Sequence, residues 1–224
     1  MAIAAVPPGK GDITVMLSAY AAALGEFAVE VNCGVTVTPE QIQEEQPDAV
    51  VIATGAKEVV PPIKGIEQQS FVTASDVLQG KASCGSRVLI LGGGFVGLET
   101  AAFLGERNHQ VTVLERREKL GDDLNAEHWT VLQKMLEESN VQLLTGVLIE
   151  EIAKDGIVCS SEKLQFLPTA DYDTIVLSLG KTSRQKLYEF VKEIGMECYI
   201  IGDAAGPAKA LQATREGYTV GKRI

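Results

Sequence analysis

Three glycines in the run Gly92-x-Gly94-x-x-Gly97 constrain this chain more than any other feature. They follow at once on an apolar stretch, residues 87–91, and lead into an Ala-rich segment, residues 98–105. A short apolar run ending in a glycine turn reads as a buried strand, and the segment beyond it reads as a helix. Strand, glycine turn and helix in that order open a unit built to receive the pyrophosphate of a dinucleotide. Each glycine has its own task. Gly92 allows the tight turn, Gly94 lets a pyrophosphate approach the backbone, and Gly97 lets helix and strand pack closely. Phe95 and Val96 begin the helix, whose first amides offer donors and partial positive charge to phosphate. Ala101, four residues on from Gly97, keeps the helix–strand interface narrow.

The next strand, residues 110–115, ends at Glu115, roughly 20 residues past the first glycine, where a ribose-binding carboxylate is expected. Glu115 would accept hydrogen bonds from both ribose hydroxyls, which favours NAD(H) over NADP(H). Arg116 and Arg117 follow directly. An arginine beside that carboxylate can accept a 2′-phosphate, and the bland alternative is two solvated charges in a loop. A glycine-rich turn that binds nothing would require strand, turn, helix and acidic residue to coincide by accident.

The rest of the chain alternates strand and helix signals. Asp12 is placed to cap a helix over residues 13–24, with Gly25 as its stop. Residues 27–31 alternate as a short strand, and Pro39 stands at the first position of another helix. Buried strands are expected at residues 48–55, 141–144, 173–179 and 198–201, with helices at 74–78, 126–139, 184–193 and 210–221. Residues 147–166 change period, and Asp155-Gly156 marks a hairpin turn. The pattern is α/β, a parallel sheet followed by a β-meander.

Charge and cysteines narrow the function. The 30 acidic against 20 basic side chains leave a net charge of −10, contrary to the basic face a nucleic-acid binder needs. No apolar stretch approaches the roughly 20 residues of a membrane span, and no signal peptide is readable, so a cytoplasmic location is expected. The four cysteines form no CxxC pair and are expected as buried small hydrophobes, with no metal site. His109 is expected as a surface residue, His128 in a packing or solvent role, and Asp122-Asp123 as solvated charges. Without a Gly-x-Ser-x-Gly elbow or a phosphate-loop lysine, hydrolase chemistry has no residues to use. Hydride transfer needs no acid–base side chain, so no residue is assigned as catalytic.

Several runs occur in one order: Ala5-Val6-Pro7-Pro8-Gly9-Lys10, Ala53-Thr54-Gly55-Ala56, the Gly92–Gly97 turn, Leu177-Ser178-Leu179-Gly180, Ile201-Gly202-Asp203-Ala204 and Ala213-Thr214-Arg215-Glu216-Gly217-Tyr218. That series resembles the C-terminal FAD/NAD(P)-binding region of the NADH:flavin oxidoreductases related to 2,4-dienoyl-CoA reductase and trimethylamine dehydrogenase. The resemblance implies two Rossmann-like lobes. An FAD-type lobe, residues 1–82 and 183–224, is interrupted by an inserted NAD(P)-binding domain, residues 83–182. It implies that Thr54 and Gly55 lie near the flavin nucleotide, that Gly202, Asp203 and Ala204 hold its ribityl and phosphate region, and that Gly180 borders the nicotinamide cleft. A helix beginning near Leu211 would point its N-terminus at the isoalloxazine ring.

The family's first strand–glycine turn–helix, its FMN barrel and its iron–sulfur cysteines have no counterpart here. The FAD-type lobe is therefore expected to be incomplete, and the chain to be a fragment that binds FAD weakly or not at all and is inactive alone. In the intact enzyme it would take hydride from NADH and pass it to FAD, with the remainder of the flavoenzyme as its partner and association into oligomers left open. The alternative is a nucleotide-binding or structural module without turnover.

Overall fold

The computed structural model describes residues 2–121 and 124–224, so the expectation for Asp122 and Asp123 falls outside the described residues. In chain order the first elements are α1 (Asp12–Glu26), α2 (Pro39–Glu45), β1 (Ala49–Ile52), β2 (Ala56–Glu58), β3 (Val72–Thr73), α3 (Ala74–Leu78), β4 (Arg87–Leu91) and α4 (Phe95–Gly105). Then come β5 (Gln110–Leu114), α5 (Ala126–Glu138), β6 (Gln142–Leu144), β7 (Leu148–Ile152), β8 (Gly156–Ser160) and β9 (Phe166–Pro168). The last are β10 (Thr174–Leu177), β11 (Lys181–Ser183), α6 (Lys186–Glu193), β12 (Glu197–Ile200) and α7 (Ala210–Gly221). The architecture is mixed α/β with parallel and antiparallel sheets, as the sequence pattern requires. The chain forms two compact units, one of Met1–Val29 with Val60–Leu179, the other of Glu30–Val59 with Gly180–Ile224.

The larger unit is organised by β4. Its sheet runs in the order β3-β10-β4-β5-β6, with every neighbouring pair parallel. The chain moves outward from β4 to β5 and β6 on one side, then returns to place β10 on the other, between β4 and the earlier strand β3. That reversal makes the C-terminal end of β4 a topological switch point, the place where open α/β sheets leave a crevice. Both faces of β4 are covered, so it reads as a continuous apolar run rather than an alternating one. Val88 and Ile90 pack with Leu98, Ala101, Leu132 and Leu136 of the helices. Leu89 and Leu91 face the opposite side, against Val147, Ile152 and Ile157. The antiparallel sheet β7-β8-β9 supplies that second cover, and Ala153 N–H donates to Gly156 O across its first turn.

The smaller unit holds a parallel pair, β1 with β12, and an antiparallel pair, β2 with β11. Its α2 shows why Pro39 marks a helix start. The Thr38 hydroxyl accepts from Gln41 N–H while the Gln41 side chain accepts from Thr38 N–H, a closed capping box around a first-turn proline.

Several expectations are corrected. Residues 27–31 form no strand: Val29 N–H is spent on Leu24 O at the end of α1, Ala28 is left-handed, and Phe27, Val29 and Val31 are exposed. Alternation needs a neighbouring strand to become a strand itself, and none among the described residues pairs here. Asp12 is the first residue of α1 rather than its cap, which is Gly11, and the helix runs through Gly25 to Glu26. His109 is half-buried, with Nδ1 2.7 Å from Gly85 O, rather than a surface residue. Of the cysteines, Cys159 is buried and Cys84 and Cys198 half-buried, but Cys33 is exposed. Burial pushes the Cys84 and Cys159 thiols up, away from reactive thiolate.

The start of β4 is tied to the loop entering β10. Asp173 accepts from Arg87 N–H at 2.9 Å and from Arg87 Nη2 at 2.8 Å. Those bonds, the side-chain one first, hold its carboxyl below the ordinary aspartate range. A carboxyl whose folded pKa is depressed stabilises above the unfolded value, about 4, and loses that contribution as pH falls. Thermal unfolding followed from pH 7 to pH 2.5 should therefore show an acid-side loss of stability that is smaller in Asp173→Asn. An identical acid limb in the variant would refute the anchor.

Candidate nucleotide-binding site

The glycine turn leaves the C-terminal end of β4 and enters α4 with almost no slack. Gly92 has φ +107°, and a Cβ on it would stand 2.3 Å from Ser178 O. A Cβ on Gly97 would fall 2.0 Å from Gly92 O, so α4 lies directly on the turn that precedes it. Both positions exclude any side chain on packing grounds alone. Gly94 differs: a Cβ there would meet nothing nearer than Arg117 Nη2, at 4.0 Å. Its absent side chain leaves an opening rather than a contact. Gly94 is also the cap of α4 and has no side chain of its own to cap it, so the first turn of the helix, with Phe95 and Val96, begins at that opening.

Glu115 closes the turn from below. Its side chain is buried, with Oε2 accepting from Gly93 N–H at 2.7 Å and Oε1 accepting from Arg117 N–H at 2.9 Å and Nε at 3.2 Å. The surrounding backbone is pinned as well: Gly146 N–H donates to Arg117 O and Val147 N–H to Glu115 O. Arg116, named from the sequence, is exposed; Arg117 is the arginine whose guanidinium faces the turn.

Two residues at this end were not read from the sequence as a pair. Lys10 makes an ion pair with Glu99, which is buried on α4, and its ammonium lies 4.2 Å from the centre of the Phe95 ring. Phe95 in turn meets the His128 ring edge-on at 5.2 Å. Burial pushes the Glu99 carboxyl up, while the Lys10 ammonium beside it and the His128 charge pull it back only in part. Pro7, Lys10, Glu99, Asn125, His128 and Met135 line a cleft of about 360 Å3. A carboxylate inside the apolar run of α4 was the available signal; its partner, far back in the sequence, carried none.

The remaining expected residues all lie in the smaller unit. β1 leads into Thr54 and Gly55, and its parallel partner β12 leads into Gly202, Asp203 and Ala204. The segment 183–185 ties these ends together. Thr54 Oγ1 donates to Arg184 O, Ser183 Oγ to Asp203 O, and Gln185 Nε2 to Ala204 O. Gly202 N–H donates to Glu216 Oε2 at 2.7 Å, and Asp203 Oδ1 accepts from Ala208 N–H. A Cβ on Gly55 or on Gly180 would meet nothing within 4 Å, while their carbonyls accept from Arg184 N–H and Val59 N–H. The N-terminus of α7 has no side-chain cap. Among the described residues, no group of three or more His, Cys, Asp or Glu could hold a metal ion, and no helix is long and apolar enough to cross a membrane.

These features suit the pyrophosphate and adenosine half of a dinucleotide. An opening at Gly94, a helix N-terminus beside it and a buried carboxylate at the end of the next strand are the groups and the space that moiety needs. The sequence profile of the pyridine nucleotide-disulphide oxidoreductases matches residues 9–217. The chain belongs to that family. It is 32% identical over 219 residues to a bilirubin reductase of Mediterraneibacter gnavus, covering 96% of this chain and 34% of that protein. Against a metal reductase of Desulforamulus reducens it is 30% identical, covering 96% and 37%. A 2-naphthoyl-CoA reductase structure superposes with a TM-score of 0.92 at 29% identity, covering 99% of this chain and 34% of that one. The chain thus spans about a third of the length of these relatives.

Two predictions follow from the packing. Gly97→Ala should lower stability by about 1–3 kcal/mol, an overpacking cost, whereas Gly94→Ala should unfold like the unmodified chain in urea. Equal effects would refute the distinction between packed and open glycines. Lys10→Met should cost about 3–5 kcal/mol by stranding a buried carboxylate, and adding Glu99→Met should recover most of it. A single variant within about 0.5 kcal/mol of the unmodified chain would show that the pair is not a buried one.

Proposed function

We propose that the chain is the pyridine-nucleotide-binding portion of a flavin-dependent enzyme of the NADH:flavin oxidoreductase type, with NAD(H) bound at the Gly92–Gly97 turn. The observation that carries this reading is the opening at Gly94, bounded by the N-terminus of α4 and by the buried Glu115 carboxylate. The pyrophosphate would rest over Gly94 on the Phe95 and Val96 amides, and Gly92 and Gly97 hold those amides in place by close packing. Glu115 would accept from the adenosine ribose. When bound, the nicotinamide supplies the hydride and the flavin of the intact enzyme accepts it.

The chain's own contribution is then alignment and exclusion of water rather than proton transfer. Lys10 and Phe95, beside the turn, would help to wall off the reacting end. Thr54, Gly55, Gly202, Asp203 and Ala204 would serve the flavin side and Gly180 would border the nicotinamide cleft, and the open Cβ positions of Gly55 and Gly180 leave room for close approach.

The relatives support an electron-input role. Their names give different acceptors, bilirubin, metal, cinnamate and 2-naphthoyl-CoA, yet each shares this portion with the chain. A segment common to enzymes with unlike acceptors fits the donor side better than the acceptor side. The acceptor chemistry, with the FMN barrel and iron–sulfur segment implied by the resemblance, would reside in the rest of such an enzyme.

The test is calorimetric titration with NADH of the unmodified chain, Glu115→Ala and Gly94→Val. Binding to the first, with losses of about tenfold or more in both variants, is the expected result. Unchanged affinity in both variants would overturn the site.

A further inference from the structure

The turn that follows β12 is tied down from several sides, and one of the ties comes from the middle of α7. Gly202 O accepts from Ala205 N–H at 2.9 Å and from Gly206 N–H at 3.2 Å. Asp203 O accepts from Ser183 Oγ at 2.7 Å, and Ala204 O accepts from Gln185 Nε2 at 3.0 Å. These bonds fix the carbonyls from within the turn and from residues 183–185. The bond from α7 is on an amide instead: Gly202 N–H donates to Glu216 Oε2 at 2.7 Å.

Glu216 is braced for this contact. It is half-buried, and its other oxygen, Oε1, accepts from Gln212 Nε2 at 2.7 Å. Gln212 lies four residues earlier on the same face of the helix, so the brace comes from α7 itself. The positions beside it are small. A Cβ on Gly202, where φ is +61°, would lie 3.4 Å from Ala213 Cβ, and one on Gly217 would lie 3.9 Å from Ile201 Cδ1. Ala213 and Gly217 thus let α7 lie close to the end of β12, and Glu216 beside them fixes its register. A charge-assisted bond to a backbone amide is short and directional, which suits a part that sets distance.

The groups set in register stand on either side of an irregular link. Residues 205–209 join the turn to α7 with no helix or strand of their own. On the near side, Asp203 Oδ1 accepts from Ala208 N–H at 3.2 Å, and among the described residues no donor meets Oδ2. On the far side is the N-terminus of α7. An irregular link does not by itself hold a helix at one distance from a strand; a bond from the helix to the turn does.

We propose that Glu216 is a positioning residue for the flavin side: through the Gly202 amide it holds the N-terminus of α7 in register with the Asp203 carboxylate. This rests on the reading that Gly202, Asp203 and Ala204 serve the flavin. Glu216 acts from behind the turn, as a hydrogen-bond acceptor at a set reach. Glutamine keeps that role, since its Oε1 accepts from Gly202 N–H and Gln212 can turn its amide over to meet the new Nε2. Aspartate keeps the charge but falls one methylene short.

The experiment records amide NMR spectra of the unmodified chain, Glu216→Gln and Glu216→Asp during titration with FAD, a readout that registers weak binding. In the unmodified chain FAD should move the Asp203, Ala204 and Ala208 amide signals along a saturating curve. Glu216→Asp should weaken that binding by about tenfold or more and speed hydrogen exchange at the Gly202 amide by a similar factor. Glu216→Gln should stay within about threefold of the unmodified chain on both measures. Signals of Val88 to Leu91, in the larger unit, should stay in place in both variants, which separates a local effect from unfolding. FAD affinity unchanged in Glu216→Asp overturns the positioning role and leaves the flavin side standing. The reverse pattern, with Gln weakened and Asp retained, overturns it in favour of charge. Signals at Asp203 and Ala204 that do not respond to FAD in the unmodified chain overturn the flavin-side reading and this proposal together.

Discussion

The contact between α4 and the turn that feeds it is the constraint on which the rest of the larger unit depends. With Gly97 set against the Gly92 carbonyl, the helix cannot be displaced from the end of β4 without opening the sheet's central layer. That closeness explains the composition of α4. Leu98, Ala101 and Ala102 are fully buried, and Ala at two of these places keeps the helix near the strand. It also explains why the opening lies at Gly94 and nowhere else along the turn. Packing consumes the space at Gly92, Gly93 and Gly97, and the one glycine left without a neighbour is the one that faces outward.

The charged groups around this point are arranged by burial more than by attraction. Glu115 and Glu99 are both buried carboxylates, and each has been given a basic partner and a different set of companions. Glu115 is met by two backbone amides and a guanidinium. Glu99 has a single ammonium, shielded by the face of Phe95. A charge with several oriented donors is held at a defined place, while a charge with one partner depends on that partner entirely. The two carboxylates thus give the site one rigid element and one that responds to its surroundings.

Much of this was legible in the sequence because local period and local chemistry coincide there. Strand β4, its glycine turn, α4 and β5 each announce themselves within a few residues, and burial on both faces explains the unbroken apolar run. Thr38 and Pro39 likewise carry their own helix start. What escaped was set by partners distant in the chain or by direction. Nothing near Lys10 indicates Glu99. Arg116 and Arg117 are chemically identical neighbours, and only the turn after β5 decides which faces Glu115. Phe27, Val29 and Val31 have the alternation of a strand without a neighbouring strand to join, which no local pattern can reveal.

The division of the chain into units has an implication for the order in which it can become ordered. β1 is made early in synthesis, but its parallel partner β12 lies beyond the whole of Val60–Leu179. The smaller unit therefore cannot close until the larger one has emerged, whereas the larger one needs nothing after Leu179. Loop-closure entropy favours the same sequence, since a folded insert brings its two ends together and shortens the effective loop that β1 and β12 must span. The larger unit can thus be complete while the smaller one is still waiting for its second strand.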